Sequence, residues 1–179
     1  QAPAAWGSRP AVGELQTIIN AMVQQVAEVA SAIAEWDSLS GNIIRTIRLA
    51  QKEGLQVCSG GIIGMGETWE DRFDMAISLA ELGIQSIPIN ALMPIPGTPL
   101  EGRPQLSGED ILRTVAIFRF INPEANIRLA AGRKLLPQNG ETAFKAGASA
   151  SITGNMLTTS GTTIKEDMEM LHRLGMSNR

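Results

Sequence analysis

From about Asn42 onward, helical patterns alternate with short apolar runs four times over, an order that folds as repeated βα units around a parallel sheet. The strand candidates are Leu55 to Ile62, Gln85 to Leu92, Asn126 to Ala131 and Ala148 to Ile152. Helical segments follow them at about 69–82, 107–121, 140–146 and 164–174. Three helix starts place an N-cap hydroxyl three residues before an acid: Thr68 with Asp71, Ser107 with Asp110, and Thr163 with Glu166. Gly83, Gly147 and Gly175 stand where a left-handed C-cap is wanted, and Asn122-Pro123 stops a fourth helix because proline cannot continue the hydrogen-bond ladder. The expected class is α/β, with four βα units forming half of a (β/α)8 (TIM-type) barrel. A half barrel leaves two strand edges and an apolar interior open. It therefore has to dimerise, be covered by the N-terminal segment, or belong with further chain.

The first forty residues read differently. Positions 1–13 are rich in Ala, Pro and Gly, after which Leu15, Ile18, Ile19, Met22, Val26, Val29, Ile33 and Trp36 mark one helical face. A second helix is expected from Ile43 to Lys52. The organisation predicted is an N-terminal segment over 1–40 with one amphipathic helix, then the half barrel over 41–179.

At 179 residues, 44% hydrophobic and 18% charged, the chain is long enough for one globular core. Fifteen basic against eighteen acidic residues, without a long run of one sign, argue against nucleic acid or an anionic membrane as partner. Polar residues interrupt the most apolar helical stretch, Glu14 to Trp36, so neither a membrane span nor secretion is expected. Cys58 is the single cysteine, which excludes an intrachain disulfide and a self-contained four-cysteine metal site, and fits a reducing, cytoplasmic setting.

Strand side chains alternate between faces, so Cys58, Gly60 and Ile62 share one face of the first strand, Pro88, Asn90 and Leu92 one face of the second, and Arg128 and Ala130 one face of the third. If these faces point inward, a thiol, an amide and a guanidinium converge. An inward arginine is costly unless something negative satisfies it. Blander readings stand beside this one. Cys58 can be a small buried hydrophobe, Asn90 can satisfy backbone groups at a strand end, and Arg128 can pair with Glu67 or Glu101. His172 reads as a solvated surface residue. The proline-rich run Met93 to Pro99 reads as a structured loop at the functional rim, and the glycine-rich run from Cys58 to Glu67 allows close backbone approach to a ligand.

Several runs in order resemble the biotin synthase family of radical S-adenosylmethionine (SAM) enzymes. They are Val57-Cys58-Ser59-Gly60-Gly61-Ile62-Ile63-Gly64-Met65-Gly66-Glu67-Thr68, then Ser86 to Asn90, Gly97 to Leu100, Ile127 to Arg133, Ala146-Gly147-Ala148, Gly154 and Leu157-Thr158-Thr159. The resemblance covers about residues 42–175 and is to the C-terminal half of that family. It implies a biotin synthase-like activity, sulfur insertion into dethiobiotin to form biotin by radical SAM chemistry. By the same resemblance Cys58 and Arg128 are ligands of a [2Fe-2S] cluster, Asn90 hydrogen-bonds the ureido ring of dethiobiotin, and Gly60 and Ile62 line the SAM adenosyl pocket.

The family's C-x3-C-x2-C motif, which holds a [4Fe-4S] cluster, is not found in these residues, nor are two further cysteines of the [2Fe-2S] site. The isolated chain is accordingly expected to be inactive and to need a second copy or a complementary N-terminal half. The alternative is a non-catalytic βα half-barrel that serves as a scaffold or assembly module.

Overall fold

The computed structural model describes Gln24, residues 41–154 and residues 161–176. The chain divides into two units, Gln1–Leu49 and Ala50–Arg179. In the first, Gln24 and residues 41–49 are helical. The rest of the amphipathic helix expected over 15–36, and of the segment 1–40, lies outside the described residues.

In the second unit the helical run that begins at 41 continues to 52 and is stopped at Gly54, whose φ of 78° is a left-handed conformation that a side chain disfavours. The elements then follow as β1 (Gly61–Ile63), α1 (Trp69–Glu81), β2 (Ser86–Ala91), α2 (Gly108–Ile121), β3 (Asn126–Leu129), α3 (Glu141–Lys145), β4 (Ala150–Ser151) and α4 (Ile164–Arg173). The four strands form one parallel sheet in sequence order. This is the expected series of βα units, half of an eightfold barrel.

The first strand is shorter than Leu55 to Ile62, and the reason lies in its neighbour. Cys58 pairs with Ser86 and Gly61 with Ile89, at one constant register, so residues 58–63 run as a single strand interrupted opposite Pro88. Proline has no N–H to give to the ladder. Gly60 fits there because it has no side chain: a Cβ at that position would lie 2.0 Å from the Pro88 carbonyl oxygen. Leu55 to Val57 make no strand pairing.

The sheet has two unlike faces. Ile63, Ile87, Ile89, Ala91, Ile127 and Leu129 are buried, together with Ala76 and Leu79 of α1, Ile111, Val115 and Phe118 of α2, and Ala143 and Phe144 of α3. The period of two in the strands and the 3–4 spacing in the helices thus meet in one core. Along β2 the intervening residues Ser86, Pro88 and Asn90 are only half-buried, and Ile62 is 51% exposed.

Local chemistry sets the helix ends. Thr68 with Asp71 and Thr163 with Glu166 form complete capping boxes. Ser107 departs from that pattern: its hydroxyl accepts from the Asp110 N–H and donates to the Asp110 carboxylate, and the reciprocal backbone bond is absent. Gly83, Gly147 and Gly175 all take positive φ where their helices end. Arg119, in the last turn of α2, gathers the carbonyls of Asn122, Pro123, Ala125 and Gly147 and the Ser149 hydroxyl, and so fixes the entries to β3 and β4.

Candidate functional site

The strand register puts the expected site residues on one face. Pro88 stands beside Arg128, Asn90 beside Ile62, and Ser86 beside both Cys58 and Asn126. This is the face away from the α1–α3 core. Its lower half forms a recess of about 670 Å³ lined by Cys58, Ser86, Asn126 and Arg128, with Gln51, Gln56 and Gln85 around it. That volume lies in the range of small-molecule sites.

Cys58 is exposed, so the reading of it as a buried hydrophobe does not hold. Its sulfur accepts a hydrogen bond from the Ser86 hydroxyl at 3.4 Å. Arg128 is half-buried, and among the described residues it makes no ion pair, because the two carboxylates that could have paired with it are engaged elsewhere. Glu67 holds Arg72 at 2.7 Å, and Glu101 accepts the Gly97 N–H at 2.6 Å. A guanidinium and a thiol that line one recess, the guanidinium without an ion pair among the described residues, suit an anionic or electron-rich group there.

Asn90 bridges two elements: its amide N–H donates to the Gly61 carbonyl at 3.3 Å, and its carbonyl accepts the Ala131 N–H at 3.2 Å. Among the described residues, one N–H and one acceptor position of the amide have no partner and can take another. Ile62 presents an apolar surface beside it. Pro88 by itself requires a glycine at residue 60, since it already fills the position a side chain would take.

The glycine-rich run after β1 is organised by a carboxylate that the sequence suggested only as a partner for Arg128. Glu67 accepts the N–H groups of Gly64, Met65 and Gly66 at 2.7, 2.8 and 3.2 Å, and Arg72 grips the same carboxylate through Nε and Nη2. Gly64 and Gly66 have φ of 94° and 115°, which turns successive N–H groups toward one point. Burial pushes the Glu67 carboxyl up, but the backbone N–H groups of Gly64 and of Glu67 itself, with Arg72, outweigh it and hold the group below its usual range. Arg72 also donates to the Thr114 hydroxyl and lies over the Trp69 ring, 4.5 Å from its centroid, so the loop is fastened to α1 and α2.

A second unforeseen cluster closes the rim at the C-terminal ends of the strands. Arg133 donates to both carboxylate oxygens of Asp167 at 3.1 and 2.7 Å, to the Thr162 hydroxyl, and to the carbonyls of Asn139 and Ile152. Capping boxes have a fixed spacing that a sequence reveals, whereas Arg133 and Asp167 stand far apart in the chain and no pattern links them.

The residues present differ in how they suit each cofactor. Cys58 and Arg128 open on the same recess and suit two ligand positions of a [2Fe-2S] cluster. The sequence holds no other thiol, so a [4Fe-4S] cluster does not fit these residues. Among the described residues no group of three or more His, Cys, Asp or Glu is placed to hold a metal ion, and no helix is long and apolar enough to cross a membrane.

Over 132 residues the chain is 66% identical to a biotin synthase of Alkaliphilus metalliredigens, covering 74% of this chain and 42% of that one. It is 62% identical over 134 residues to a biotin synthase of Clostridium beijerinckii, covering 75% and 42%, and 54% identical over 132 residues to biotin synthase 2 of Corynebacterium diphtheriae, covering 74% and 40%. The chain thus spans about two-fifths of the length of the curated relatives it matches. In fold it is similar to the crystal structure of methylornithine synthase (PylB), with a TM-score of 0.60 at 20% identity over 74% of this chain and 43% of that one. Residues 88–177, half of the chain, match the Biotin and Thiamin Synthesis associated domain, which shows that the chain belongs to that family.

Proposed function

We propose that this chain carries the C-terminal share of a biotin synthase site, in which sulfur is inserted into dethiobiotin. The observation that supports it most is the exposed Cys58 thiol and the Arg128 guanidinium, without an ion pair among the described residues, on one open sheet face. In this reading Cys58 and Arg128 hold one side of a [2Fe-2S] cluster. Asn90, fixed by Gly61 and Ala131, directs its free amide edge at the ureido ring, and Ile62, with the backbone at Gly60, forms part of the SAM adenosyl pocket. When bound, SAM would supply the radical and the [2Fe-2S] cluster the sulfur. The chain's own residues orient the substrate and cover the apolar side of the pocket. The remaining ligands come from a complementary N-terminal half or from a second copy, and the setting is a reducing, cytoplasmic one in which Cys58 stays a free thiol. On its own the 179-residue chain is inactive. The single cysteine in the sequence favours a second reading, a half-barrel scaffold without chemistry.

The test joins residues 42–175 to the N-terminal portion of the Alkaliphilus metalliredigens relative and measures biotin formed from dethiobiotin and SAM under anaerobic, reducing conditions. The chimera is expected to form biotin and the 179-residue chain alone is not. Asn90→Ala in the chimera should raise the KM for dethiobiotin about tenfold, the worth of a buried hydrogen bond or two. A folded chimera that forms no biotin favours the scaffold.

A further inference from the structure

We propose that Asn139 is a latent deamidation site, kept unreactive by the Arg133 clamp at the strand rim. Asn139-Gly140 is the single Asn-Gly step in the sequence, and glycine after asparagine leaves its backbone nitrogen unshielded by any neighbouring side chain. Asn139 is exposed, so water reaches its amide. The reaction is a ring closure. The Gly140 nitrogen attacks Cγ of Asn139, a C–N bond forms, the nitrogen gives its proton to water, and ammonia leaves. Water then opens the cyclic imide at either carbonyl to give aspartate or isoaspartate. The net change is water in and ammonia out, with nothing oxidised or reduced.

The conformation at this step opposes that closure. Asn139 has φ 53° and ψ 33°, and Gln138 before it has φ 51° and ψ 40°, both left-handed and both costly for residues with a Cβ. With ψ near 33° on an L-residue, the Gly140 nitrogen lies almost opposite Cβ across the Cα–C bond. Ring closure needs the two nearly eclipsed. Arg133 holds the unreactive geometry, because its Nε and Nη2 donate to the Asn139 carbonyl at 3.1 and 2.8 Å while the same guanidinium is fixed to Asp167. The clamp is 8% exposed at Arg133, so the carbonyl cannot rotate away without disturbing a buried ion pair. Isoaspartate would add a methylene to the backbone and displace that carbonyl from Arg133. The cavity beside it, lined by Met93, Ala130, Gly132, Arg133, Ile152 and Thr162, would lose one wall. Deamidation is then a one-way release of the rim.

The full 179-residue chain and a synthetic peptide spanning residues 134–144 are incubated at mildly alkaline pH, and the 138–140 step is followed by mass spectrometry with separation of the isoaspartyl product. Reaction in the folded chain has to await local opening, so it should run at least about tenfold slower than in the peptide. Arg133→Lys, which keeps the charge but loses the fork, should move the rate toward the peptide's while the circular dichroism spectrum stays native. Asn139→Gln should remove the signal from both. Equal rates in folded wild-type chain and peptide overturn the proposal, as does a folded Arg133→Lys chain that reacts no faster than wild type. The wild-type comparison needs no variant to fold.

Discussion

Asp167→Ala is expected to destabilise the second unit by about 3–5 kcal/mol, because it strands the buried Arg133 charge without its anion. Arg133 and Asp167 are 8% and 6% exposed, and their contact at 2.7 Å is one of a set that also engages Thr162, Asn139 and Ile152. Urea unfolding at neutral pH measures the loss. The Arg133→Met, Asp167→Leu double variant should cost less than the two single changes added together, since no charge is then left alone in the interior. It should not be neutral, because the Asn139 and Ile152 carbonyls lose their donor. The pair also has a pH signature. Burial pushes the Asp167 carboxyl up, but hydrogen bonds from Arg133, Thr153 and Thr162 and the Arg133 charge outweigh that and hold it below the usual aspartate value. A folded value below the unfolded one means that this contribution is complete above the unfolded pKa and is lost as pH falls through the folded one. The Asp167→Ala deficit should therefore shrink in strongly acidic solution, and a deficit that is constant down to that range would contradict the ion-pair account.

Phe118→Ala is expected to cost about 3–5 kcal/mol, the range for removing a buried aromatic from a packed core. Phe118 is 0% exposed on the inner side of α2, in line with Val115 and Ile111 one and two turns earlier. Phe120, two residues on, is 88% exposed, and Phe120→Ala should change stability by less than about 0.5 kcal/mol. The same side chain deleted from two faces of one helix turn thus isolates burial from composition. Equal urea midpoints for the two variants would mean that α2 does not lie on the sheet as described.

Most of the architecture was legible because it rests on short-range chemistry. The Thr68 and Thr163 boxes, the glycines at 83, 147 and 175, and Asn122-Pro123 each fix a boundary through neighbours a few residues away. Alternation alone placed Cys58, Asn90 and Arg128 on one face, and the parallel register bears that out. What escaped depends on partners distant in sequence or on backbone geometry. The interruption of β1 comes from Pro88 across the ladder, which also leaves no room for a side chain at residue 60. Glu67 looked like an ordinary acid before a helix until its carboxylate proved to gather three N–H groups and Arg72. Arg128 offered Glu67 and Glu101 as partners on paper, and both are committed elsewhere. Among the described residues that guanidinium makes no ion pair, and it lines a recess with the single thiol, which is the basis of the proposed site and its chemistry.

Anaerobic reconstitution of the chimera with iron and sulfide, followed by its ultraviolet-visible spectrum with and without Cys58, tests that chemistry most directly. The account predicts stable iron-sulfur absorption in the chimera and a diminished [2Fe-2S] contribution in its Cys58→Ala form. In the 179-residue chain alone it predicts no stable cluster, because one thiolate and one guanidinium fill two of four ligand positions. Identical spectra for the chimera with and without Cys58 would contradict it.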